Sequence, residues 1–359
     1  MTNKQVDRLI TLDELRGHGD ETHPWFVVDG HVYDGTPFLD RHPGGAVSIA
    51  SAAGQDATEE FMAIQREEHD AELPHRETRL GCSCCAVGQV RRGDPRRPVF
   101  LEPGAWTRAA LQEKVIVSAD TKLFRFRLDQ ERQVVGLPVG QHLLMRLHDP
   151  ATRETIIRSY TPISDGANQG VLNVLVKIYY ETPEHQGGRM TQALDAIPVG
   201  HLVDFRGPMG KFQYLGRGLC SVSGKRRKVR RFYMVCAGSG VTPISQVLRA
   251  VSADKHDAIG CTLLNGNRVG GDILCRAQLD DMMSRFKHKR RLQHNLTQPS
   301  PTWTGRKGRI DGAMIEAEIG PRDTQEGGMV LLCGPEKLER SARDALCTMG
   351  WEDDDVFVF

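Results

Sequence analysis

Arg158-Ser159-Tyr160-Thr161-Pro162, followed further along by Gly187-Gly188-Arg189-Met190-Thr191, is the stretch on which the reading of this chain turns. An arginine and a threonine backbone at the end of an alternating segment can hold a diphosphate and the edge of a flat heterocycle, and the Tyr160 ring can lie against that heterocycle. The glycine pair can then open a helix whose unpaired first-turn N–H groups face a pyrophosphate. Together the two halves fit a flavin held on an antiparallel barrel. Each half alone is weak, since Arg-x-Tyr-Thr-Pro also describes a strand running into a proline turn. Their order, with a nucleotide-binding half behind them, favours the flavin.

The flanking sequence supports that frame. From about Trp106 it reads as strands: Phe124, Phe126 and Leu128 alternate with Arg125 and Arg127, and Val171 to Tyr180 form a second run carrying Val176 and Lys177. This is the period-two signature of half-buried strands. Pro138-Val139-Gly140-Gln141-His142 and Gly207-Pro208-Met209-Gly210 punctuate the set. Several strands with one clear helix give an antiparallel β-barrel.

From about Arg231 the pattern changes to alternating strand and helix. Phe232 to Cys236 is a short apolar strand, Ala237-Gly238-Ser239-Gly240 a turn, and Pro243 is expected to start a helix where a missing N–H costs nothing. Ile244, Val247, Leu248 and Val251 share one helical face. Met329 to Cys333, Gly334-Pro335 and the face of Leu338, Ala342, Ala345 and Leu346 repeat the unit. Such repeats imply an α/β parallel sheet with ligands at the carboxyl ends of its strands. Gly238-x-Gly240 with Thr242 reads as a phosphate-cradling turn. Cys333 is placed to lay a soft thiol beside a nicotinamide ring, the bland alternative being a buried cysteine before a helix. Phe359, an aromatic last residue, is expected to dock, over the flavin.

The bulk composition narrows the classes. A chain of 359 residues should hold two to three domains at ~150 residues each. Lys plus Arg is 47 and Asp plus Glu 46, a net charge of 47 − 46 = +1, which argues against nucleic acid as a partner. The runs Lys225-Arg226-Arg227-Lys228 and Lys287-His288-Lys289-Arg290-Arg291 read as solvated loops. No stretch reaches the ~18 apolar residues of a span, so no membrane partner and a cytoplasmic location are expected. The nine cysteines fit a reducing compartment, most of them as small core residues. Cys82-x-Cys84-Cys85 lacks a second pair at zinc spacing and reads as linker, as does the polar stretch from Arg91 to Pro98.

These motifs, in this order, resemble the ferredoxin-NADP reductase and cytochrome b5 reductase family over roughly residues 106 to 359. The resemblance implies that Arg158, Ser159, Tyr160, Thr161, Val176, Lys177, Gly187, Gly188, Met190 and Thr191 hold FAD. It implies that Gly238, Gly240, Thr242, Cys333, Gly334 and Pro335 line the nicotinamide nucleotide site, with Phe359 beside the cofactors and Cys333, Thr161 and Lys177 closest to the chemistry. That chemistry is hydride transfer from NADPH to the flavin, followed by single-electron release.

The first segment is similar to a cytochrome b5 haem domain. His23-Pro24-Trp25-Phe26-Val27-Val28 leads through an Asp29-Gly30 turn to Val32-Tyr33-Asp34, then Phe38-Leu39 and His42-Pro43-Gly44-Gly45. The resemblance implies haem b with His42 as one axial ligand. Where the family has its second histidine this chain has Gln65, a poor partner for low-spin haem iron. His69, one helical turn on, is the candidate metal ligand, with His75 as the alternative.

Haem domain, hinge, FAD barrel and nucleotide domain in that order resemble the C-terminal part of eukaryotic assimilatory nitrate reductases. Gly136 to His142, Gly187 to Asp195 and Leu215 to Cys220 point to the fungal, NADPH-using branch. The expected multi-domain architecture is an α+β cytochrome-b5-like domain (1–81), a hinge (82–105), an antiparallel FAD barrel (106–220) and an α/β nucleotide domain (221–359). The implied function is electron transfer from NADPH through FAD to a b-type haem in nitrate assimilation, the molybdopterin domain being absent from this chain. The downstream acceptor would be a molybdenum domain or a haem protein. A free-standing cytochrome b5 and cytochrome b5 reductase fusion, or a flavoprotein module with a decayed haem site, are the alternatives. Asn267-Arg268 and Arg306-Lys307 are candidates for the 2′-phosphate of NADPH.

Overall fold

The structure is a computed structural model that describes residues 9–10, 12–18, 22–28, 31–39, 49–50, 52–55, 57, 86–90, 98–102, 104–148, 154–164, 168–183, 186–284, 289–322 and 327–359. The chain divides into two compact units, 1–97 and 98–359.

In the first unit, β1 (Leu9–Ile10), β2 (Trp25–Val28), β3 (His31–Asp34) and β4 (Ala86–Val90) form one sheet in the order β1-β4-β3-β2. Helix α1 spans Leu12–Gly17. Successive residues of β2 enter opposite clusters, as strand geometry requires. Val27 packs with Ile10, Leu15 and Val32, while Phe26 and Val28 pack with Ile49, Leu39 and Tyr33. Leu39 and Ile49 flank the stretch that carries His42. Ala86–Val90 lies inside the expected hinge, yet it pairs with both β1 and β3. It bridges β1 and β3 in the first unit's sheet, and the unit extends to Arg97.

The second unit begins with a six-stranded antiparallel sheet. Its strands are β5 (Thr107–Ser118), β6 (Thr121–Arg127), β7 (His142–His148), β8 (Thr155–Tyr160), β9 (Val171–Lys177) and β10 (Leu202–Met209), in the order β8-β7-β10-β5-β6-β9. Phe124, Phe126 and Phe205 are fully buried inside, Phe126 meeting Phe205 edge-on at 5.0 Å. Each such ring contributes about 2–3 kcal/mol of burial. The two end strands are tied together just past Pro162, where Ile163 N–H donates to Asn173 O (2.9 Å) and Asn173 N–H to Ser164 Oγ (2.6 Å). The sheet thereby closes toward a barrel. Helix α2 (Arg189–Ala196) lies against β7 and β8 and buries Met190, Ala193 and Leu194.

A hairpin sheet of β11 (Phe212–Gly216), β12 (Leu219–Val222) and β13 (Lys225–Lys228) leads into the last sheet. That sheet is wholly parallel, in the order β17-β16-β15-β14-β18-β19, from β14 (Arg231–Ala237), β15 (Gly260–Asn267), β16 (Arg290–Leu296), β17 (Arg306–Lys307), β18 (Gly328–Cys333) and β19 (Val356–Val358). Helices α3 (Val241–Ala253), α4 (Arg276–Ser284), α5 (Gly312–Ile319) and α6 (Glu336–Thr348) complete it. β14 and β18 are near-continuous apolar runs, as strands covered on both faces are. Leu175 and Phe212 share one cluster with Phe232, Val241 and Ile244, so barrel and parallel sheet have a common core.

Three expectations need correction. The run Lys225 to Lys228 is strand β13, not a solvated loop. Arg227 reaches Asp355, Gly328 O and Asp354 O, which supply acceptors a loop would have taken from water. In the second run, Arg290 is only 6 % exposed and donates to Ser252 Oγ and Met282 O, both at 2.7 Å. Helix α3 starts at Val241, so Pro243 sits inside its first turn rather than opening it.

Candidate functional site

The ends of β8 and β9 and the start of α2 converge. Gly188 N–H donates to Tyr179 O (2.8 Å), Tyr179 N–H donates to Thr191 Oγ1 (3.2 Å), and that hydroxyl donates to Gly188 O (3.0 Å). Gly187 has φ +72°, and a Cβ there would stand 2.5 Å from Tyr179 O. Only glycine lets the chain turn this close to the strand before entering the helix. α2 opens on Gly188 with no side-chain cap. Its first-turn N–H groups are thus left to water or to an anion.

Arg158 and Ser159 are exposed beside this opening, Arg158 resting one nitrogen on Ile157 O at 2.7 Å. Tyr160 is half-buried; burial pushes its phenol up to about 12, against the pull of Arg158 and with Tyr179 adding to the rise. Thr161 follows, half-buried, and leads into the barrel-closing segment. Val176 and Met190 belong to the barrel core, 2 % and 3 % exposed, so only their backbones can meet a ligand. Lys177 ends β9 and pairs with Asp120 at 3.1 Å.

The nucleotide half lies against this one, because β9 packs on the Gly238–Gly240 turn. Around Gly238 the space is open. Gly240 approaches the neighbouring strand end so closely that a Cβ would meet Cys333 O at 2.2 Å and Gly334 N at 3.0 Å. α3 opens on Gly240 without a side-chain cap, and Thr242 Oγ1 donates back to Ser239 O at 3.1 Å. Cys333 is half-buried; burial and the Glu339 charge push its thiol up to about 12. It is a protonated, polarisable packing group rather than a nucleophile. Gly334 N–H donates to Glu339 Oε1 at 3.2 Å, and Pro335 flanks the start of α6. Phe359 N–H donates to Leu332 O (3.0 Å), and its ring packs on Phe357 (5.1 Å) and Phe212 (5.6 Å).

Strand patterns alone did not reveal a polar row across the sheet. Cys333, Cys236, Asn265 and His294 stand in register on four adjacent strands. Cys236 Sγ donates to Asn265 Oδ1 (3.6 Å), Asn265 Nδ2 meets His294 Nδ1 (3.3 Å), and His294 Nε2 meets Asp280 Oδ1 (3.2 Å). Buried Asn267 Oδ1, at the carboxyl end of β15, has no partner within the protein. That unpaired acceptor and the open Gly238 turn fit a nicotinamide nucleotide, and the uncapped Gly188 helix beside Arg158 fits a flavin diphosphate.

The two cations expected to read the 2′-phosphate are paired with carboxylates in this fold. Arg268 is held by Asp120 (2.8 Å) and Asp272 (3.1 Å), and Arg306 by Glu318. Each guanidinium is thus already engaged by a carboxylate before any 2′-phosphate is bound. His42, Gln65, His69 and His75, together with the Cys82 cluster, lie outside the described residues. Among the described residues no helix is long and apolar enough to cross a membrane.

Comparison with known proteins agrees with this layout. The chain matches the cytochrome b5-like heme/steroid binding domain over residues 11–113, the oxidoreductase FAD-binding domain over 108–214 and the oxidoreductase NAD-binding domain over 234–344. It is 52 % identical to nitrate reductase [NADPH] of Beauveria bassiana, across 100 % of this chain and 41 % of that protein. The Neurospora crassa nitrate reductase [NADPH] is also 52 % identical, across 100 % of this chain and 38 % of its own length. The chain therefore spans about two fifths of the curated relatives it matches. Among solved structures, the cytochrome b5 reductase domain of Ulva prolifera nitrate reductase superposes with a TM-score of 0.67 at 32 % identity, covering 73 % of this chain and 100 % of that one. A chain that contains the whole of that reductase fold, and aligns over its own length with about two fifths of the fungal nitrate reductases, belongs to the nitrate reductase family as its cytochrome b5, FAD-binding and NAD-binding part.

Proposed function

We propose that this chain passes electrons from NADPH through FAD toward a b-type haem, as the electron-input part of a nitrate reductase. The observation that carries the reading is the contact between the two halves. β9, continued by Tyr179 whose carbonyl accepts from Gly188 at the opening of α2, packs on the Gly238–Gly240 turn, and that turn touches Cys333. The two proposed cofactor sites would then face one cleft.

In that cleft FAD, once bound, supplies the conversion of a two-electron donor into single-electron steps. The protein's own residues supply placement. Arg158 and the first turn of α2 neutralise the flavin diphosphate, and Tyr179 packs against Gly187 and Gly188. The backbone from Tyr160 to Thr161 and the ends of Val176 and Lys177 border the heterocycle. Gly238, Gly240 and Thr242 shape the turn that takes the nucleotide's pyrophosphate, and Cys333, Gly334 and Pro335 shape the wall beside its nicotinamide. Phe359 shields that wall from water. The name of the relatives, nitrate reductase [NADPH], supports NADPH as donor and nitrate reduction as the eventual use of the electrons; a molybdenum domain is the proposed acceptor. His42 with His69 are the proposed haem ligands.

Purified chain is expected to show a flavin spectrum and to reduce ferricyanide with NADPH. Absence of bound flavin after reconstitution with FAD overturns the enzyme reading. A flavin spectrum with no Soret band after haem addition removes the haem step alone.

A further inference from the structure

Asp120 connects the flavin barrel to the nucleotide sheet. It sits in the turn between β5 and β6, where its carbonyl accepts Ile178 N–H at 2.6 Å and its Oδ1 accepts the Thr121 hydroxyl at 3.2 Å. Its other carboxylate oxygen receives two cations: Lys177 Nζ from the end of β9 (3.1 Å) and Arg268 Nη2 from the loop after β15 (2.8 Å). Arg268 in turn holds Asp272 Oδ2 through Nε at 3.1 Å. Lys177, Asp120, Arg268 and Asp272 therefore form one chain of alternating charge across the cleft. Asp120 is 17 % exposed and Asp272 8 %, while Arg268 is 55 % exposed, so the carboxylates are shielded but salt still weakens their pairing with Arg268. Although burial opposes it, pairing with Lys177, Arg268 and Thr121 holds the Asp120 carboxyl below its ordinary range. It is ionised whenever the protein is folded near neutral pH.

We propose that the Asp120–Arg268 pair is a positioning latch, holding the loop after β15 against the end of β9 so that the nucleotide half meets the flavin half in register. This inference rests on the NADPH-to-FAD reading. Lys177, the residue nearest the chemistry in this network, shares the same carboxylate oxygen. Loss of the latch therefore disturbs both the approach of the nucleotide and the orientation of Lys177. Arg268, with its guanidinium engaged on two sides, acts on the nucleotide through position and not by reading the 2′-phosphate.

The test compares the FAD-loaded chain with Asp120→Asn, Arg268→Gln, the double variant and Arg268→Lys. Each of the first two is expected to slow flavin reduction by NADPH about tenfold at low salt while FAD content is kept, with the double variant no slower than the worse single. Arg268→Lys should recover most of the rate, since it restores the charge. Hydrogen exchange, which needs no cofactor, should report faster exchange in both 118–121 and 266–272 for either single variant. Additive effects in the double variant, or exchange that quickens only beside the mutated residue, overturn the latch. So does an Arg268→Gln variant that loses NADPH turnover while NADH turnover is unchanged, because Arg268 would then be the 2′-phosphate reader. If the parent chain fails to accept electrons from NADPH, the underlying reading falls, and the exchange experiment still decides the latch.

Discussion

Gly240 and Cys333 are in backbone contact: a side chain at Gly240 would place its Cβ 2.2 Å from the Cys333 carbonyl oxygen. One of the two glycine turns proposed to take phosphate therefore rests on the strand end that bears the thiol. Gly240→Ala should force the two turns apart at a cost of roughly 1–3 kcal/mol, because the obstructing atom is backbone and cannot swing away. A thermal midpoint lower by roughly 2–10 °C is expected. Flavin content should be retained and the NADPH KM raised. An unchanged midpoint with an unchanged KM would show that the turns do not need this contact.

Gly187 makes the corresponding demand on the flavin side. Its φ of +72° and the 2.5 Å approach to Tyr179 O leave no room for a methyl group. Gly187→Ala costs about 1–2 kcal/mol for the left-handed backbone alone. It also lifts the α2 N-terminus from the end of β9. The variant should elute from gel filtration with less than the parent's flavin per chain, and titration with FAD should show at least tenfold weaker binding.

How much of this could be read from sequence follows from the range of the interactions. Phe124, Phe126 and Leu128 announced a strand because alternation is local, and Gly238 to Thr242 announced a turn for the same reason. The Lys225 to Lys228 segment carries no apolar alternation. It is a strand because β12 pairs with it and because Asp355, 128 residues away, meets Arg227. Arg268 looked like a free cation because Asp120, 148 residues earlier, stands beside it only in the folded chain. Ala86–Val90 was hidden by the polar, Cys- and Arg-containing sequence on either side, while its partner strands lie more than fifty residues upstream. Local periodicity showed the elements and the glycine turns. The charge network had to await the fold.

Alkaline stability should be set in part by Cys261. Its thiol is fully buried in the parallel sheet, and burial pushes it up to about 12, with Arg290 pulling down and Asp257 adding to the rise. The folded value lies above the unfolded one, so the contribution is complete below about pH 8.5 and is lost as pH climbs toward 12. Over that window the chain should lose about 1.4 kcal/mol per pH unit on account of this thiol. Cys261→Ala, with no proton to release, should show a shallower fall of chemical-denaturation midpoint between pH 9 and 11 (window from). Parallel pH curves for parent and variant would rule this out.

His294 should set the acid side. Burial lowers its imidazole below the ordinary value, Asp280 opposing and Arg276 reinforcing the shift. The neutral ring accepts from Asn265 at Nδ1 and donates to Asp280 at Nε2, which joins the polar row leading to Cys236. A second proton turns Nδ1 into a donor facing the Asn265 amide N–H, so one bond must break or Asn265 must turn over. Because the folded value is depressed, stability from this group is present above about pH 6.5 and drains away as pH falls below it. His294→Gln can keep both bonds, with its carbonyl toward Asn265 and its amide toward Asp280, and has no proton to gain. The variant should match the parent at pH 8 and outlast it at pH 5 in thermal melts (ordinary imidazole value from). If it melts below the parent at pH 5, neutral His294 is not what the row depends on.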